Sequence, residues 1–326
     1  MAYGWLPNSM LNARGFKVLG KRLIHAIPVL LFATFFVFGL INLIPGDIAV
    51  TLAGENASDE RIREIRHLYG LDEPFLVQYW GWLNKAVQGD LGKSLLTGER
   101  VIISVERSLP NTALIISTAL LIACTVGIPL GIVSASRRGQ ALDGFIMTIA
   151  SLGVAVPSFW LAMLLISFFA LNMGWFPATG AVSFSTNPAN AIHHVLLPAL
   201  ALAAGGIAEI SRQLRTSLVE FLSSQQVRTL HAKGVSPLAI LWRHGLRNVG
   251  INLITVISIF VNRLLSATVV IEAIFAIPGM GGMIVGAALN RDFPVVQGVV
   301  LVMALIVVTV NLVADVLYGV IDPRAN

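Results

Sequence analysis

Arg263 stands in the apolar run Ile251–Glu272, with no other charge before Glu272 itself. Glu209 and Asp315 interrupt two further apolar stretches. An ionisable side chain at bilayer depth costs about 2.5–3.5 kcal/mol on insertion scales, so such residues are solute-route or proton-route candidates by default. Glu209 and Asp315 fall near one end of their runs and Glu272 near an end of its own, from where each is expected to reach a polar boundary. Arg263 has no such exit, being about 18 Å from the start of its run at 1.5 Å per residue. It cannot pair with Glu272 on the same helix, because nine positions at 100° set the two on opposite faces, about 13 Å apart. Glu209 is expected to lie too near the end of its run to meet it. With Asn262 beside it, Arg263 is expected to line a water-filled route or to meet a second subunit; the alternative is an interhelical bond of structural use only. Asn262, Arg263 and Glu272 are the candidates for a translocation path.

The second chemical feature is a basic island, Val227-Arg-Thr-Leu-His-Ala-Lys-Gly234 followed by Ser236-Pro237 and Arg243-His-Gly-Leu-Arg-Asn248, lying between apolar runs. Thr216 to Lys233 is helix-compatible, and Gly234 can supply the left-handed stop. Ser236 then fits an N-cap with Pro237 at the first helical position. A second short helix is expected over Leu238 to about Asn248, with Gly250 loosening the chain before the next span. Two short helices meeting at a corner would turn a push from a soluble partner into a tilt of the flanking spans; the alternative is an ordinary basic loop. His193 and His194 point in different directions on any helix or strand, and no Cys or carboxylate lies close by, so no metal site is expected. The chain has no G-x-x-x-x-G-K-[ST] phosphate loop, no H-E-x-x-H and no G-x-S-x-G, so no catalytic residues and no cofactor are expected.

The elements that must position these residues follow from composition. Of 326 residues, 56% are hydrophobic and 12% charged. Soluble domains carry about 25% charged residues, so the chain reads as all-α and membrane-embedded. Its net charge of +5 sits in short clusters beside apolar runs, which suits membrane orientation and not nucleic acid. Six runs reach the roughly 20 residues that a bilayer helix needs: Leu23–Ile44, Asn111–Ala135, Phe145–Leu171, Val195–Leu214, Ile251–Glu272 and Val295–Tyr318. The first is longer than a signal h-region and lacks a small-x-small site, so it reads as an uncleaved span. Cys124, the one cysteine, reads as a small core residue. Cytoplasmic N- and C-termini put thirteen Lys and Arg inside, against Arg291 alone in the two shorter outer connections. The organisation expected is a tail over 1–22 and one membrane domain over 23–326, with an outer loop at about 45–110 and a cytoplasmic segment at about 215–250. In the outer loop, Ser58 fits an N-cap, Gly70 a helix stop, and Pro74 the start of a helix to about Val87 carrying Tyr79, Trp80 and Trp82, rings suited to a membrane interface. That loop is either a structural cap or a docking ledge. Pro157 and Pro198 are candidate flex points.

The island resembles the coupling segment of the dipeptide/oligopeptide/nickel permeases of bacterial ABC importers. Val227, Arg228, Thr229, Ala232, Lys233, Gly234, Arg243, His244, Leu246, Arg247 and Asn248 match that family's pattern. Pro45-Gly46-Asp47, Tyr69–Pro74, Gly89–Ser94, Pro129–Gly131, Pro157–Phe159, Gly174–Pro177, Glu272…Pro278-Gly279, Arg291–Pro294 and Asn311…Asp315…Tyr318…Asp322-Pro-Arg324 are similar to its other signatures, in the same order. Gln226, Leu230-His231, Ile48 and Asn252 depart from it. The resemblance implies the six-helix type I importer fold in the bacterial inner membrane. It implies an ATPase-coupling role for Val227, Arg228, Thr229, Ala232, Lys233, Gly234, Arg243, His244 and Arg247. Its implied partners are a second homologous permease forming a heterodimer, two ABC ATPases, and a periplasmic or lipid-anchored solute-binding protein. Peptides are the commonest solute of that branch; nickel, glutathione, opines and some sugars use relatives. A self-coupled secondary transporter would need inverted repeats and midplane carboxylates, which are not evident. An intramembrane hydrolase would need Glu209 and Asp315 to act as a pair.

Overall fold

The computed structural model describes residues 8–43, 48–53, 57–68 and 70–321, and their regular structure is helical apart from one isolated bridge between Lys93 and Arg100. In chain order the helices are α1 (Asn8–Leu43), α2 (Ile48–Ala53), α3 (Asp59–Leu68), α4 (Phe75–Val87), α5 (Val101–Ser136), α6 (Ala141–Ala155) and α7 (Ser158–Leu165), which widens into a π-helical stretch, Ile166–Asn172. After these come α8 (Pro188–Leu222), α9 (Gln225–Ala232) and α10 (Pro237–Ala239), then a second π-helical stretch, Ile240–Gly245. The chain closes with α11 (Leu246–Ile274), α12 (Met280–Leu289) and α13 (Phe293–Ile321).

Four helices among the described residues are long and apolar enough to cross a membrane: Val101–Ser136, Pro188–Leu222, Pro237–Ile274 and Phe293–Gly319. The third predicted span, Phe145–Leu171, falls on a bent pair of helices. α6 and α7 meet at 98°, because Val156, which precedes Pro157, is pushed out of the helical region to φ −79°, ψ 122°. Pro157 is therefore a break, whereas Pro198 lies inside an unbroken α8. The first predicted span falls within α1, whose apolar part is Ile24–Leu40; Ile44 and Pro45–Asp47 lie outside the described residues, as do Tyr69 and Asp322–Arg324. The short second helix of the basic island is also corrected. It runs without a break from Pro237 into the span ending at Ile274, and Gly250 sits inside that helix.

The bundle is organised around α5 against α8. Gly131 permits their closest approach, since a Cβ there would lie 2.9 Å from the Ser211 carbonyl oxygen and 3.0 Å from Leu214 Cβ. Ile115, Ala119 and Ala123 of α5 pack with Leu197, Ala201, Leu202 and Ile210 of α8 and Phe260 and Leu264 of α11 in the main core. A second core at one end joins Leu91, Val101, Val105, Met280, Phe293 and Val299. A third, at the opposite, basic end, joins Ile132, Leu214, Leu218, Phe221, Val227, Ile240 and Leu241.

The segments before α5 are tied down by polar contacts. Ser58 Oγ accepts from Arg61 N and caps α3, and Gly70 closes it at φ +65°. Tyr79 is buried: its hydroxyl bonds Thr34 Oγ1 and the Leu31 carbonyl, and its ring packs edge-on against Phe35, fixing α4 to α1. Trp80 stays exposed. Glu99 accepts from Ser104 Oγ and Arg107, which hold its carboxyl below the usual carboxylate range. Ser94 Oγ and Leu95 N donate to Asp292, clasping the chain before α5 onto the α12–α13 turn.

Candidate functional site

Two regions concentrate the chemistry. At the basic end, α8 stops at Leu222, and Ser224 Oγ accepts from Val227 N to start α9 as a separate helix. α9 ends at Ala232, Gly234 two residues on is left-handed at φ +76°, and Ser236 Oγ accepts from Ala239 N with Pro237 at the first position. The corner expected at Gly234 thus forms. Val227 is 2% exposed and is the anchor of α9, packing with Leu218, Phe221, Ile240 and Leu241. Arg228, Thr229, Ala232, Lys233 and Gly234 are exposed, as are Arg243 and Arg247, and His244 is partly buried. The result is a short helix pinned on one side, with cations on the other and a continuous spanning helix behind it.

Beside this surface lies an ion pair that sequence reasoning misses. Asp143 is 4% exposed and accepts from Ser134 Oγ, Gly139 N, and Arg215 Nε and Nη2 at 2.6 and 2.7 Å. It locks the α5–α6 turn to the basic end of α8. Arg215→Gln removes the bidentate partner from an enclosed carboxylate, and leaving such a group unsatisfied costs about 1–3 kcal/mol. The variant is expected to unfold several degrees below wild type in detergent, and Asp143→Asn added to it is expected to restore part of the loss.

The second region is a polar seam along α11. Toward α8, Asn252 Nδ2 donates to Ser217 Oγ, and Arg263 Nη1 and Nη2 donate to Glu209 at 2.8 and 3.3 Å. Toward α13, Tyr318 OH pairs with Thr255 Oγ1 and Asn262 Nδ2 donates to Asn311 Oδ1. The Glu209–Arg263 pair corrects the expectation that these residues are too far apart in depth. α8 continues to Leu222, eight residues past the predicted Leu214. Glu209 is therefore about 20 Å from the helix end at 1.5 Å per residue, deep enough to face Arg263. Arg263 remains 59% exposed along its side chain and Glu209 24%. Asn262 Oδ1 is buried without a partner among the described residues.

Glu272 differs from the other two path candidates. It is fully buried, and its carboxylate accepts from Thr112 Oγ1, Gly281 N and Gly282 N, holding the start of α12 against α11 and α5. It lies two residues from the end of α11, at the end of its run as expected, but it is enclosed and does not face an open surface. The nearby Thr112 and Gly281 give no sequence signal beyond the Pro278-Gly279 signature that follows Glu272. His193 Nε2 and His194 Nδ1 face the Trp175 and Asn190 carbonyls.

Residues 127–326 match the family model described as the binding-protein-dependent transport system inner membrane component, and residues 15–116 match the model for the N-terminal part of these membrane components. The chain is similar to a Brucella abortus protein assigned to a peptide transport system as its permease, 40% identical over 306 residues, which are 94% of this chain and 98% of the relative. It is also similar to the oligopeptide transport system permease protein AppB of Bacillus subtilis, 35% identical over 93% of this chain and 97% of that one. In fold it is similar to the inward-facing MetNI methionine ABC transporter, with a TM-score of 0.56 at 16% identity over 67% of this chain and 96% of that chain. The span-forming helices and these matches together make it a multi-pass membrane protein with a transport role. The chain belongs to the binding-protein-dependent transport system inner membrane component family.

Proposed function

We propose that the chain is one of two homologous permease subunits of an ATP-driven importer in the bacterial inner membrane, with peptides as its solute class. It is a single membrane domain over 23–326 with a tail over 1–22, six spans and both termini in the cytoplasm. It carries no catalysis of its own: two separate ATPases drive it through α9 and the turn at Gly234, and a solute-binding protein delivers to the opposite face. The named roles of two relatives in peptide transport support the solute class. The concentration of Lys and Arg at the α9 end supports the orientation. The bidentate hold of Arg263 on Glu209 leaves the hydrolase alternative without a free acid–base pair. Asn262 and Arg263, on the polar seam of α11, are the residues assigned to the path.

The observation that carries the reading is the form of α9, a short helix pinned by buried Val227 with exposed cations facing away. The test is to purify the tagged chain from its own host in mild detergent and identify what accompanies it. Wild type is expected to bring down a second permease and ATPases. Lys233→Glu with Gly234→Val is expected to keep the permease and lose most of the ATPase, since a β-branched residue at left-handed φ costs about 1–2 kcal/mol at the corner while Glu reverses a surface charge. A chain that purifies alone and moves solute in liposomes without ATP would overturn the reading.

A further inference from the structure

A charge pair buried for structure alone would be closed off on all sides, and the Glu209–Arg263 pair is not. Arg263 leaves 59% of its side chain open, and Glu209 leaves 24%. Both lie well inside spanning helices, where an open guanidinium facing hydrocarbon is strongly disfavoured. On the reading above, in which a second permease faces this one, their open side lies toward the route between the two and not toward lipid. Ser266, three residues further along α11 and so next to Arg263 on the helix surface, is open as well.

The donors are not exhausted either. A guanidinium has five N–H groups, and Glu209 takes one from Nη1 and one from Nη2. The remaining donors form a fork suited to a second carboxylate, because planar bidentate recognition is what arginine offers over lysine. Glu209 in turn keeps lone pairs that an ammonium group could meet. A neutral pair of this kind suits a solute that is itself neutral but carries both charges. Such a solute exchanges one set of opposite-charge contacts for another, so no unpaired charge is created at depth. A solute with a single charge would leave one member of the pair uncompensated.

We propose that the Glu209–Arg263 pair is a transient reception point for the free termini of a zwitterionic solute, Arg263 taking the carboxylate and Glu209 the ammonium. The pre-existing pair makes the contact weak. The solute must compete with an internal partner for each charge, which keeps its stay short, as conduction through a narrow route requires. This rests on the importer reading above and deepens it, adding a selection step in the permease to whatever the solute-binding protein selects.

The test uses the full importer, with its binding protein and ATPases, in proteoliposomes. The probes are radiolabelled Ala-Ala, its C-terminal amide and its N-acetyl form. Uptake ratios are compared between wild type, Arg263→Gln, Glu209→Gln and the double variant. The binding protein contributes the same factor in every case, so a change in ratio belongs to the permease. Arg263→Gln is expected to reduce the preference for Ala-Ala over its amide by about tenfold, a change of about 1.4 kcal/mol, while leaving the preference over the N-acetyl form largely intact. Glu209→Gln is expected to do the converse. The double variant has no uncompensated charge and so guards against misfolding; it is expected to lose both preferences while still hydrolysing ATP. Unchanged ratios in a double variant that still transports would overturn the reception point and leave the importer reading standing. A wild-type importer that takes up none of the three peptides would overturn the peptide reading, and the reception point with it.

Discussion

Glu272→Ala is expected to abolish solute uptake and to lower the unfolding midpoint of the purified chain by more than Arg215→Gln does. Glu272 has no exposed surface, and three donors converge on its carboxylate: Thr112 Oγ1 on Oε1, with Gly281 N and Gly282 N on Oε2. The two glycine N–H groups belong to the first turn of α12, where helical geometry provides no internal partner and the helix dipole favours a negative charge. Thr112 Oγ1 also accepts from Met280 N, so the same cluster satisfies a third N–H at that end. Alanine removes every side-chain acceptor that Glu272 offers, and each orphaned buried group costs about 1–3 kcal/mol. Glu272→Gln keeps one acceptor oxygen but turns an NH2 toward the donors, so its loss is expected to fall between wild type and alanine. An independent variant reaches the same junction by sterics. Gly281→Ala would put a Cβ 2.5 Å from Val269 Cα, a backbone atom that cannot rotate away, and 2.9 Å from Glu272 Oε2. Thermal unfolding in detergent and uptake in proteoliposomes check both. Wild-type stability and uptake in Glu272→Ala would show that α12 does not depend on this carboxylate.

How much of this was legible in the sequence depends on the range of the interaction. Ser58, Ser224, Ser236 with Pro237, and Gly234 act within one turn of the chain. All but Ser224 were readable from local rules, and those residues form the caps and the stop expected of them. The break at Pro157 was readable as a flex point but its 98° angle was not, because the angle is set by what α6 and α7 each pack against. Pairings between helices were the least legible. Glu209 meets Arg263 across 54 residues and Asp143 meets Arg215 across 72. Hydropathy fixes which residues form a span but leaves each helix free to slide and rotate against its neighbours. An error of eight residues in the end of α8 was enough to separate Glu209 from its partner. Small residues at contacts, such as Gly131 against Ser211, set that register, and they look in sequence like any other glycine in an apolar run. Glu272 could be marked as unusual, but its enclosure depended on α12 folding back over it.

Val227→Asp is expected to uncouple the chain from its ATPases completely while the membrane-spanning bundle survives, and the reason lies in how little holds α9. The helix has eight residues, well short of the roughly 12–15 at which an isolated helix becomes even marginally stable in water. Its form therefore depends on packing, and Val227 is its one fully enclosed side chain, against Leu218, Phe221, Ile240 and Leu241. Burying a valine of this kind contributes about 1.5–3 kcal/mol. An aspartate at the same place forfeits that and adds an unpaired charge in an apolar pocket, so α9 is expected to come away and fray. Force applied to a detached helix goes into stretching a loop and no longer into tilting α8 and the long helix that ends at Ile274. Arg228→Glu provides the contrast, because Arg228 is exposed and its replacement leaves the pin intact. That variant is expected to weaken ATPase retention by roughly two- to fivefold, on the scale of an exposed charge contact at an interface, and the deficit is expected to change with salt as screened charges do. Val227→Asp is expected to lose retention at every salt concentration. Co-purification at low and high salt, with thermal unfolding of the bundle measured in parallel, separates the two. If Val227→Asp retains its ATPases and its uptake, the drive enters the membrane domain elsewhere than α9.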